Sequence, residues 1–150
     1  TLNDRASLAM TTVGVSAATD ITGFGLLGHL REMLGVDSAG AADNSMPLSA
    51  RLYSPDIPFL PRALELASSG VIPGGSRANL NWASPWTKFS ETVPEAVRIL
   101  LADAQTAGGL LMAVPPDRAL ALEKEFQKLD CPYWRIGELR ERGEVAIEVL

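Results

Sequence analysis

At 150 residues with 47% hydrophobic content, the chain is long enough for one domain with its own core and too apolar to be disordered. Its 13 basic and 18 acidic residues leave a net charge of −5, the opposite of the basic footprint that nucleic-acid binding needs. A single cysteine, Cys131, excludes an internal disulfide framework and a multi-cysteine metal site, and makes the reducing cytoplasm the simplest compartment.

The N-terminal residues Thr1-Leu2-Asn3-Asp4-Arg5 carry neither an initiator Met nor a signal pattern, so the chain reads as one domain, 1–150, cut from something longer. No apolar run approaches the roughly 20 residues that span a bilayer, and no membrane partner is expected. Ala6, Ala9, Met10 and Val13 recur at helical spacing, with Gly14 as a C-terminal stop. Residues 15–18 form a short apolar run, the pattern of a buried strand entering Thr19-Asp20. The next helix is the clearest of all: Thr22 is a candidate cap, Leu26, Leu27, Leu30, Met33 and Leu34 share one face, and Gly35 ends it.

Residues 36–58 read as strand and loop, and Phe59, Leu60, Ala63, Leu64 and Ala67 as a short helix closed by Gly70. The stretch 71–90, rich in Gly, Pro, Asn and Trp, has no clean period and reads as a long functional or packing loop. Thr92-x-x-Glu95, with Pro94 in the first turn, is a capping box that predicts a helix to about Leu101. A strand is expected over 110–114, then a helix opened by Pro115-Pro116 and carrying Ala119, Leu122, Phe126 and Leu129. Two last strands, 134–139 and 145–149, are joined by Glu141-Arg142-Gly143 as a hairpin. Alternating elements of this kind predict an α/β or α+β domain with a mixed sheet flanked by helices.

Two junctions carry candidate chemistry. Thr19-Asp20-Ile21-Thr22-Gly23-Phe24-Gly25 lies between a strand and a helix, where free backbone N–H groups and the positive end of a helix dipole coincide. Gly23 and Gly25 allow close approach of a ligand or of another backbone, and Asp20 is placed to hold a divalent cation bridging phosphate oxygens. By pattern alone the plainer reading is a helix cap with tight helix–sheet packing. His29, beside Leu26 and Leu30, reads as a hydrogen-bonded structural residue, and no second His exists for a zinc site. At the second junction, Asp103, Gln105 and Thr106 precede Gly108-Gly109 and a strand; they either bind a ligand or satisfy the turn's own backbone. Gly74-Gly75-Ser76-Arg77-Ala78-Asn79 is either an anion site or a surface loop, and Cys131 a small buried or incidental residue.

Taken together, residues 18–29, 71–80, 103–111 and the late Trp134-Arg135-Ile136-Gly137-Glu138 resemble the motifs of selenophosphate synthetases, in order and over nearly the whole chain. The resemblance implies a C-terminal domain of the aminoimidazole ribonucleotide synthetase type, a sheet flanked by helices. It implies a full-length enzyme that converts ATP, selenide and water to selenophosphate, AMP and phosphate on the way to selenocysteine. It further implies Mg²⁺, a homodimer, and an N-terminal domain holding the Cys or selenocysteine nucleophile, the Lys and other metal ligands. Of the family's site residues, Asp20 matches the Mg²⁺-binding aspartate, with Thr19, Gly23 and Gly25 as neighbours of the nucleotide; no catalytic residue falls in these 150. Ala104 and Ala107 stand where the family usually has Pro and Ser, which removes a hydroxyl from the second junction.

The fragment alone is therefore expected to be inactive. Rival readings are a domain from a thiamine-monophosphate kinase, a hydrogenase-maturation protein or a purine-pathway synthetase, or a non-catalytic interaction domain of the same fold. Trp82 and Trp86, spaced i, i+4, read as packing against the body or a neighbouring domain, and separation from a partner domain predicts an exposed apolar face around Trp82, Trp86 and Phe89.

Overall fold

The computed structural model describes residues 2–35 and 48–150. Helix α1 (Asp4–Val13) ends at Gly14, whose φ of 82° and N–H bond to the Met10 carbonyl stop it where the spacing says. It packs on α6 (Pro116–Lys128), and Ala9, Leu122 and Phe126 make a small core there, joined by Met112, Tyr133 and the half-buried Cys131. A larger core lies between α2 (Gly25–Met33), α4 (Gly74–Ala83), α5 (Glu95–Leu101) and a four-stranded sheet. Leu27, Leu30 and Leu34 enter it from α2 at intervals of three and four, the spacing that lines up one helix face.

The sheet runs β3 (Thr87–Phe89), β6 (Ile147–Val149), β2 (Leu48–Leu52), β5 (Gly137–Glu141). Its β3–β6 and β6–β2 pairs are parallel and its β2–β5 pair antiparallel, so the expected mixed sheet flanked by helices is present. Period-two alternation turns Ala50, Leu52, Ile147 and Val149 into the core, while Arg51 and Glu148 face out and pair. A separate antiparallel ladder joins β1 (Ala17–Asp20) to β4 (Leu110–Ala113). Successive residues of β4 serve different cores: Leu111 packs on the larger one and Met112 on the smaller.

Several expectations fail, each for a traceable reason. The first strand begins at Ala17, two residues late, and pairs only with β4. The two terminal strands form no hairpin. Each takes one edge of β2, and the connection between them is pinned where the Gly143 N–H donates to the buried Ser49 hydroxyl at 2.7 Å. Residues 74–83, read as loop, are helix α4. Helix α3 (Ala63–Ser68) begins after Arg62, which sits in the left-handed region at φ 67°, so Phe59 and Leu60 lie outside it; Gly70 closes it as expected.

Neither predicted side-chain cap forms. Pro94 is extended at ψ 148° and starts α5 at Glu95, leaving the Thr92 hydroxyl to bond Ser90 at 2.8 Å. Thr22 is displaced from its helix by a turn, as described below. The expected exposed face at Trp82, Trp86 and Phe89 is also overturned: Trp86 is 2% exposed and Trp82 and Phe89 are half-buried. The Arg31 guanidinium lies 4.7 Å from the Trp82 ring centroid and 5.5 Å from that of Trp86. The strand-and-loop reading of 36–47 lies outside the described residues. No helix of the described residues is long and apolar enough to cross a membrane.

Candidate functional site

The β1–β4 ladder places the two candidate junctions side by side. Asp20 is the last residue of β1 and sits opposite Leu110, the first of β4. Beyond it the pairing continues as turn. The Ile21 N–H donates to the Gly109 carbonyl and the Gly108 N–H to the Ile21 carbonyl, each at 3.0 Å. The Gln105 N–H then donates to the Thr22 carbonyl at 3.0 Å. Residues 20–22 and 105–109 therefore hold each other through main-chain bonds, and a side chain at Gly108 would collide with the Ile21 carbonyl, 2.5 Å from its Cβ.

Gly25 completes the contact. It has φ 67°, and its Cβ position lies 2.6 Å from the carbonyl carbon of Ala102, the residue before Asp103. The close backbone approach foreseen for this glycine is met by the chain itself. Gly23 differs: nothing lies within 4 Å of its Cβ position, so this side of the turn is open. Thr22 caps nothing; its hydroxyl bonds His29 Nε2 at 3.0 Å, and His29 Nδ1 meets Glu32 at 2.9 Å. His29 is thus a buried structural link within α2, as its neighbours suggested.

Helix α4 brings the third motif to the same place. The Ser76 hydroxyl, fully buried, donates to Asp103 Oδ1, and the Gln105 side-chain amide donates to Asp103 Oδ2 at 3.1 Å. Asn79 donates to the Gly23 carbonyl at 2.9 Å and to the Ala102 carbonyl at 3.0 Å. Asp103, Gln105 and Asn79 therefore serve this junction's internal bonding, and the surface-loop reading of 74–79 gives way to helix α4. Arg77 and Thr106 are exposed. Ser76 and the paired role of Asn79 were missed from sequence, because Ser76 and Asn79 interrupt the face on which Leu80, Trp82 and Ala83 meet the core.

Against this bonded background Asp20 stands apart. Its side chain is exposed and makes no hydrogen bond or ion pair with any described residue. Thr19 is half-buried, with its hydroxyl near the Asp20 carbonyl at 3.3 Å. Among the described residues no three His, Cys, Asp or Glu side chains cluster as a metal site, so a cation at Asp20 would need ligands from elsewhere. The donor fits: a hard, solvent-facing carboxylate beside phosphate oxygens is how Mg²⁺ is usually held, with few protein ligands. Two surface cavities, of about 540 and 440 Å³, are lined by residues such as Pro55, Ile57, Tyr133 and Val97, and neither touches these junctions.

Residues 1–150 match, along their whole length, the family described as AIR synthase related protein, C-terminal domain. The chain belongs to that family. Among curated relatives it is 46% identical over 149 residues to a selenide, water dikinase of Carboxydothermus hydrogenoformans, covering 99% of this chain and 40% of the relative. It is 37% identical over 143 residues to the one of Nitratidesulfovibrio vulgaris strain DP4, covering 95% and 38%. To that of Pseudomonas aeruginosa it is 39% identical over 137 residues, covering 91% and 36%. The chain thus spans 36–40% of the length of these three relatives. An AIR synthase related C-terminal domain is the mixed α/β architecture expected from the motifs, and its relatives carry the name of a phosphotransferase.

Proposed function

We propose that residues 1–150 are a single C-terminal domain of an ATP-dependent selenophosphate synthetase, and that Asp20 is its ligand for Mg²⁺ at a nucleotide site shared with the rest of the enzyme. Selenide, water and ATP would be the substrates, and selenophosphate, AMP and phosphate the products. The observation that carries the reading is the Asp20 carboxylate, unpartnered among the described residues at the end of β1, beside a turn whose main chain is bonded to residues 105–109. The shared name of the relatives supports the choice of reaction.

The chemistry explains why such a carboxylate matters. A triphosphate carries dense negative charge, and bound Mg²⁺ neutralises it and orients the reacting phosphoryl group. Asp20 would hold the ion; Thr19 and the open side of Gly23 would border the nucleotide, and Gly25 would fix the turn behind them. With the nucleophile and further ligands in an N-terminal domain, the 150 residues alone would not turn over ATP. The resemblance further supports a homodimer in the cytoplasm.

The test is Asp20→Asn in the full-length enzyme. Selenide-dependent AMP formation should fall by an order of magnitude or more, with a raised Mg²⁺ requirement, as loss of a metal ligand implies. Because Asp20 is exposed and unpaired, thermal stability should stay within about 0.5 kcal/mol of wild type. Unchanged turnover at limiting Mg²⁺ would refute the assignment.

A further inference from the structure

Among the described residues, Asn79 is the one side chain bonded both to the Asp20 turn and to the end of α5. Its amide has two N–H donors. One is spent on the carbonyl of Gly23, inside the Asp20 turn, and the other on the carbonyl of Ala102, at the end of α5. Among the described residues the Gly23 carbonyl accepts from Asn79 and from nothing else. Gly23 also has open space at its Cβ position, so no packing restrains it. Residues 21 and 22 are fixed by the bonds to Gly109, Gly108 and Gln105, and Gly25 by its seat on Ala102. Between those anchors Phe24 rests against Trp82 and His29, and the Gly23 carbonyl is held by Asn79.

We propose that Asn79 is a positioning residue that sets the geometry of the Asp20 turn for the metal–nucleotide complex. The inference rests on the reading of Asp20 given above. Helix α4 acts as a bracket: Ser76 and Asn79, one turn apart on its inner face, reach Asp103 and the Gly23 carbonyl respectively. Of these two, only Asn79 bonds to the turn that carries Asp20, while Trp82 of the same helix packs on Phe24 at 5.4 Å. A hydroxyl at position 79 would supply one donor and could hold one carbonyl only; a carboxylate would repel both. When the amide is lost, the Gly23 carbonyl loses its tie, and the open side of the turn that would border the nucleotide is less firmly held for the metal–nucleotide complex. Ligand-orienting groups of this kind commonly change metal affinity by roughly 10–100-fold.

The experiment uses the full-length enzyme with four proteins: wild type, Asp20→Asn, Asn79→Ala and Ser76→Ala. Binding of Mn²⁺ is measured by electron paramagnetic resonance with a non-hydrolysable ATP analogue, and amide hydrogen exchange over residues 21–25 is followed without metal. Asn79→Ala should weaken Mn²⁺ binding roughly tenfold and speed exchange in that turn, with kcat at saturating Mg²⁺ nearly kept. Ser76→Ala, which disturbs the same helix without touching Gly23, should leave both readouts at wild type. Should Asn79→Ala not fold, Asn79→Ser, with one donor left, should show a smaller shift of the same sign. Weakened Mn²⁺ binding in Asp20→Asn with wild-type binding and exchange in the Asn79 variant would overturn the role of Asn79 alone. Wild-type Mn²⁺ binding in Asp20→Asn would overturn the reading of Asp20 and this inference with it.

Discussion

Replacing Gly25 by Ala tests the contact on which the junction is built. Two costs act together. Gly25 has φ 67°, and an L-residue in that region costs about 1–2 kcal/mol. Its added Cβ would stand 2.6 Å from the Ala102 carbonyl carbon and 2.9 Å from its Cα and oxygen. These are backbone atoms of a fully buried residue, so no side chain can swing away. Overpacking of this sort costs about 1–3 kcal/mol, which brings the total to roughly 3 kcal/mol. For a chain of this length that lowers the thermal midpoint by roughly 6–12 °C. The assay is thermal unfolding followed by circular dichroism, with Gly23→Ala in parallel. Gly23 has neither a positive φ nor a neighbour within 4 Å, so its variant should stay within about 0.5 kcal/mol of wild type. Equal midpoints for the two variants would refute the argument that Gly25 is set by its seat on Ala102.

Two further outcomes follow from titratable groups away from the junction. Glu148 accepts from Arg51 at 2.9 Å and from Arg140 at 2.6 Å, and the Arg51 bond, aided by the Arg140 charge, holds its carboxyl below the usual range against the opposing effect of partial burial. A carboxyl whose folded pKa is depressed stabilises the fold above its unfolded value of about 4.3, and that contribution fades as pH falls through the folded value. Glu148→Gln should therefore flatten the acid limb of the stability profile below about pH 4.3, and parallel limbs for variant and wild type would contradict it. Burial pushes the Cys131 thiol up, with the Arg5 charge opposing. Alkylation by iodoacetamide at pH 8 should be slower in the folded chain than in urea; equal rates would show that the thiol is not shielded.

Much of the architecture is legible along the chain because it is local. Helices α1, α2 and α6 bury residues three and four apart and stop where Gly14, Gly35 and Leu129 end the pattern, and β4 is a short apolar run after two glycines. Asp20 at a strand–helix junction could be read in the same way, and the motif order pointed to the family that the whole chain matches. Helix α4 escaped because Ser76 and Asn79 break the apolar pattern that Leu80, Trp82 and Ala83 otherwise make on its inner side. Ser76 and Asn79 are buried or half-buried through hydrogen bonds to Asp103, Gly23 and Ala102, and a search for apolar periodicity does not see such bonds.

The sequence by itself determined the class of fold, the main helices, the family, and the candidacy of Asp20. Tertiary structure alone decided which edges of β2 the terminal strands would take, and that Trp86 would be core rather than surface. It also decided that three separate motifs become one junction. The bonds that make it so link Asn79 to Gly23 and Ala102, residues 56 and 23 positions away. Local propensity acts over a few residues, whereas these pairings exist only after α2, α4 and α5 have packed around a common core.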